Sequence, residues 1–118
     1  MRFIPTVMHG IADYIVGLVT IGLPFYLDIN GMPGAVVTAM GVIVLIYSVV
    51  TDYELGVVRF LRIRFHLVLD ALFGFAMLSV PLVFDLPGNT SWPFYAIGVL
   101  AIVLVAITEI RATGTATE

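Results

Sequence analysis

The chain has 118 residues, 61% of them hydrophobic and only 11% charged, with a mean hydropathy of +1.14 and a formal net charge of -3. Soluble domains carry about 25% charged residues, so this composition excludes an ordinary water-soluble fold and points to the lipid bilayer as the partner. The chain has no cysteine, which removes disulfides, thiolate metal sites and cysteine nucleophiles, and it has no basic run suited to nucleic acid.

Four apolar runs follow in chain order, at about 6–27, 34–52, 64–84 and 92–110. Each approaches the roughly 20 residues needed to cross about 30 Å of hydrocarbon. The first follows Arg2 and partly mimics a signal peptide, but it is read as a retained span because a copy of it recurs in the second half. It carries His9, Asp13 and Gly17 at a spacing of four, on one helix face, and Pro24 near its far end, where proline kinks or ends a helix. A turn from Asp28 to Gly34, with Asn30, Gly31 and Pro33, leads to the second run, where Gly41 falls mid-span as a close-packing point.

The connector from Thr51 to Arg64 is the only charge-rich stretch, with Asp52, Glu54, Arg59, Arg62 and Arg64. The third run repeats the polar face as His66, Asp70 and Gly74, again with a later proline, Pro81. A second turn from Asp85 to Pro93 precedes the fourth run, which holds Gly98. Residues 112–118 are small and polar and read as a disordered tail.

Sliding the sequence by 57 positions gives 12 identities over 53 aligned pairs without a gap. The matches are Arg2/Arg59, Phe3/Phe60, His9/His66, Asp13/Asp70, Gly17/Gly74, Pro24/Pro81, Asp28/Asp85, Gly31/Gly88, Ala39/Ala96, Gly41/Gly98, Val42/Val99 and Thr51/Thr108. They define repeat 1 at about 2–54 and repeat 2 at about 59–111 of a single membrane domain. The expected fold is all-α: a four-helix transmembrane bundle of two tandem helical hairpins, related by a pseudo-two-fold axis along the membrane normal. All five basic residues, Arg2, Arg59, Arg62, Arg64 and Arg111, fall on one side of this arrangement, so the N- and C-termini are expected in the cytoplasm and the protein in the inner (plasma) membrane. Tyr26, Trp92, Phe94 and Tyr95 are expected as outer aromatic anchors and Tyr53 as an inner one.

Ionisable groups inside a span are costly and normally face protein, water or a partner. His9, Asp13, His66 and Asp70 are therefore the candidate site. The first reading is structural: helix dipoles and hydrogen bonds hold the aspartates to the histidines or to nearby arginines, and Gly17, Gly74, Gly41 and Gly98 allow helices to approach. The alternative is a proton or metal-cation conduit, since imidazole and carboxylate both relay protons and ligate metals. No cofactor is expected, although a metal ion or a b-type haem held by one imidazole from each copy would use the same residues. Pro24 and Pro81 read as helix kinks. Met8, Met32, Met40 and Met77 share no spacing and read as packing residues, while Tyr14 and Tyr47 lie deep enough to need hydrogen-bond partners, which the polar stripe could supply. No nucleotide-binding glycine loop, His-Glu-x-x-His pair or serine elbow is present, so no enzyme is expected. A homo-oligomer remains open for any transport role, because a thin four-helix bundle leaves little room for a pore.

The opening Arg2-Phe3-Ile4-Pro5-Thr6 with His9-Gly10, the Thr51-Asp52-Tyr53-Glu54-Leu55-Gly56 connector, and His66 with Leu69-Asp70 resemble the SPW-repeat membrane proteins of bacteria and archaea. That repeat has an acidic residue, a glycine four later and a Ser-Pro-Trp about seven beyond. Here the signature reads Leu23-Pro24-Phe25 and Val80-Pro81-Leu82, keeping only the proline. The resemblance implies a small polytopic membrane protein and carries no activity with it.

Overall fold

The computed structural model describes residues 2–51, 55–58, 60–86 and 88–109. The expectations for Asp52, Tyr53, Glu54, Arg59, Pro87, Arg111 and residues 112–118 lie outside the described residues. Among those described, the protein is all-helical, with α1 Thr6–Tyr26, α2 Gly31–Val49, α3 Ile63–Val83 and α4 Trp92–Ile107. The first three, at 21, 19 and 21 residues, are long and apolar enough to cross a membrane. Helix α4 is shorter at 16 residues, which is about 24 Å of helix at 1.5 Å per residue.

Backbone competition explains why α4 stops at Ile107, short of the expected limit at 110. The Ile107 carbonyl accepts the N–H groups of Phe3 and Ile4 at 2.8 and 2.9 Å, and Glu109 N–H donates to the Ile4 carbonyl at 2.9 Å. Thr108 is thereby drawn into an extended conformation and pairs with Ile4. Helix α2 ends the same way: the Val50 carbonyl accepts from Phe60 and Leu61 at 3.0 and 2.8 Å, and Thr51 pairs with Leu61. The prolines sit in the last turn of their helices. Pro24 precedes the α1 end at Tyr26, and Pro81 precedes the α3 end at Val83. In the first turn of chain after α1, Asp28 takes a φ of 58° and Gly31 one of 72°, so the reversal uses two left-handed residues.

Helix α1 packs along α2, and α3 along α4, with α2 also touching α3. Glycine sets the closeness of each pair. A Cβ built on Gly41 would stand 2.8 Å from the Gly17 carbonyl oxygen, and one on Gly98 would stand 2.8 Å from that of Gly74. Only a residue without a side chain fits at such a crossing.

The distribution of polarity is the reverse of that in a soluble protein. The outer faces carry Ile11, Ile15, Leu18, Leu72, Phe75 and Val103, all exposed, while the buried set includes Thr6, His9, Asp13, Thr51, His66, Asp70 and Thr108. Apolar exteriors of this extent suit contact with lipid, and the polar groups are the ones withdrawn from it. Among the expected aromatic anchors Tyr26, Trp92 and Tyr95 are exposed, but Phe94 is fully buried in the core beside Val37 and Met77. It falls in the first turn of α4, on the face turned to the core.

Candidate functional site

The buried faces of α1 and α3 run in register. Helix α1 turns Thr6, His9, Gly10, Asp13, Gly17, Thr20 and Leu23 inward, and α3 turns Ile63, His66, Leu67, Asp70, Gly74, Met77 and Val80 inward. Spacings of three and four make each set one stripe. Where the stripes meet, four titratable side chains close into a ring.

His9 Nε2 lies 2.6 Å from Asp70 Oδ2, and His66 Nε2 lies 2.6 Å from Asp13 Oδ2. The contacts along each helix are longer, with His9 to Asp13 at 3.2 Å and His66 to Asp70 at 3.1 Å. Each imidazole therefore bonds chiefly to the carboxylate of the other helix. The two imidazole rings stand edge to face, 5.9 Å apart at an interplanar angle of 74°. All four residues are buried, His9 and His66 to within 1% of complete coverage.

The far nitrogen of each ring is held as well. His9 Nδ1 lies 2.6 Å from Thr108 Oγ1, and His66 Nδ1 lies 2.7 Å from Thr51 Oγ1. Each threonine hydroxyl donates its one hydrogen to the backbone carbonyl a turn earlier, Thr108 to Leu104 and Thr51 to Tyr47, both at 2.5 Å. Toward the imidazole the hydroxyl can then only accept, so both Nδ1 atoms carry hydrogen and both Nε2 atoms face the carboxylates. A hydrogen bond at each short Nε2–Oδ2 contact requires one proton there. Two carboxylates, two imidazoles and two shared protons make the cluster neutral, which lowers the cost of keeping it out of water.

Among the described residues, Tyr47 breaks the equivalence of the ring. The Tyr47 hydroxyl donates to Asp70 Oδ1, and the Tyr47 ring meets His66 edge-on at 5.0 Å. Its counterpart 57 positions later is Leu104, which has no hydroxyl to offer Asp13. Tyr14 lies off the ring, since its hydroxyl donates to the Leu55 carbonyl at 2.8 Å. The polar stripe thus supplies a partner of Tyr47.

Sequence reasoning named His9, Asp13, His66 and Asp70, and the structure brings all four together. Among the described residues, no arginine pairs with either aspartate. Arg2 instead donates to the carbonyls of Val105 and Thr108, each at 2.7 Å, at the end of α4. Nor does the helix dipole hold the acids, because neither helix has an acidic residue in its first turn and the dipole effect fades beyond it. Gly17 and Gly74 lie on the same stripes and contact α2 and α4 at Gly41 and Gly98. Thr51 and Thr108 were not singled out as site residues, although they are the last matching pair of the repeat and the signal was there.

Fold and site together define an all-helical protein with three helices able to cross a membrane and a buried His/Asp cluster between its helix pairs. No protein-family model, curated protein or solved structure matches the chain.

Proposed function

We propose that the chain is a small multi-pass membrane protein of structural or accessory role, not an enzyme, whose polar stripes fasten two tandem hairpins into a four-helix bundle. The observation that carries this reading is reciprocity. His9 bonds Asp70 and Thr108, and His66 bonds Asp13 and Thr51, so the short ring contacts and the threonine contacts join one helix pair to the other. Each has its counterpart at a shift of 57 positions, as do the backbone bonds at Val50 and Ile107, which favours a pseudo-two-fold relation between the hairpins along the membrane normal. The termini and central connector are assigned to the cytoplasmic side of the inner membrane because the arginines gather there and the hairpin tips have none. The likeness to SPW-repeat proteins agrees with this architecture and adds no activity.

Thermal and denaturant unfolding in detergent tests the fastening role. The double variant His9→Ala/His66→Ala strands two buried carboxylates, and removing one partner of a buried pair costs about 3–5 kcal/mol. Stability should fall by at least that much. A double variant as stable as the parent would end the proposal.

A further inference from the structure

We infer that the ring of His9, Asp13, His66 and Asp70 is a site for one divalent transition-metal ion of the zinc type, bound in exchange for two protons. Four potential ligand atoms, one from each residue, lie within 4.8 Å of one another. Two imidazole nitrogens and two carboxylate oxygens form a donor set that suits Zn²⁺ and its first-row neighbours.

Three features go beyond mere clustering. The first is the tautomer. Each Nδ1–H donates to a threonine oxygen that is itself committed to a backbone carbonyl, so each Nε2 is the nitrogen turned into the ring beside the carboxylates. Metal-ligating histidines are held in this manner, the outer nitrogen bonded away and the inner one presented to the ion. The second is orientation of a ligand carboxylate: Tyr47 fixes Asp70 through Oδ1 and leaves Oδ2 turned into the ring. The third is charge. Two carboxylates and two neutral imidazoles around a divalent ion sum to zero, as they do around two protons, so the exchange leaves no net charge in a site shut away from water.

The exchange balances as one M²⁺ entering while the two protons of the short Nε2–Oδ2 contacts leave, with no change of oxidation state. Ligands at about 2.0–2.1 Å around a tetrahedral ion stand about 3.3 Å apart. The 3.1 and 3.2 Å edges of the ring already match this, while the donor pairs across the ring, up to 4.8 Å apart, must close toward it. The two 2.6 Å edges, held short by their protons, must open by about 0.7 Å.

Full-length protein in detergent, stripped with chelator and then titrated with Zn²⁺ in weak buffer, tests the inference. One zinc per chain should be retained through desalting, with two protons released per ion. Co²⁺ in its place should show the visible absorption of a tetrahedral nitrogen and oxygen site. Asp13→Asn keeps the side-chain shape and gives His66 Nε2 an amide hydrogen to accept, so it should fold while losing affinity at least 100-fold. That is a larger loss than the 10–100-fold typical of outer partners. Failure to retain stoichiometric zinc, binding without proton release, or undiminished binding by folded Asp13→Asn would each overturn the inference.

Discussion

The two aspartates do not have the same surroundings, and the difference is one hydroxyl. Asp70 accepts from Tyr47 as well as from His9, while the corresponding position opposite Asp13 is Leu104. Loss of a donor to a buried carboxylate leaves its oxygen unsatisfied, at a cost of about 1–3 kcal/mol. Tyr47→Phe should therefore lower unfolding stability by about that amount, whereas Tyr14→Phe, which releases the part-buried Leu55 carbonyl, should cost less. Comparison of the two melting curves checks the ranking, and equal losses would show that the Asp70 bond adds nothing.

At this scale the site was largely legible. A histidine, an acid and a glycine at a spacing of four, occurring twice in an apolar chain, have few uses that leave them facing lipid. The pairing was not legible, because the same spacing predicts bonds within a helix, between His9 and Asp13, as readily as bonds between helices. Only the rotation of α1 against α3 makes the cross contacts 2.6 Å and the others 3.1 to 3.2 Å, and no local pattern encodes that rotation.

Among the elements, the four expected helices are present, and their limits differ from the apolar runs by a few residues. The difference at the end of α4 has a cause that hydropathy cannot register. The carbonyl of Ile107 is taken by the chain start, so the helix yields to an extended pairing at Thr108. The glycines were legible as close-packing points, but which glycine meets which was not, since facing registers are set by three-dimensional packing. Gly98→Ala drives a methyl to within 2.8 Å of a backbone oxygen and should destabilise by about 1–3 kcal/mol, with Gly41→Ala behaving alike. Gly22→Ala has nothing within 4 Å of the new carbon and should be stabilising by about 0.5–1 kcal/mol through helix propensity. Unfolding of the three variants in one detergent checks both signs, and a stable Gly98→Ala would contradict the close crossing of α3 and α4.

For the whole molecule, the absence of cysteine makes the proposed topology directly measurable. Single cysteines placed at Asn30 or Asn89, in the two turns, should react with an impermeant maleimide from the outside of intact cells. A cysteine at Val57, in the central connector, should react only after permeabilisation. Labelling of all three from one side would contradict four crossings.

The exchange of partners across the ring has a further bearing on how such a chain is made. When α1 and α2 leave the ribosome ahead of α3 and α4, His9 lacks Asp70 and Thr108, and Asp13 lacks His66. Until the later helices arrive, the early pair has only the longer contact along its own helix to shield its acid. A truncated product therefore leaves Asp13 without its cross-helix partner, and the ring closes only when the later helices have been made.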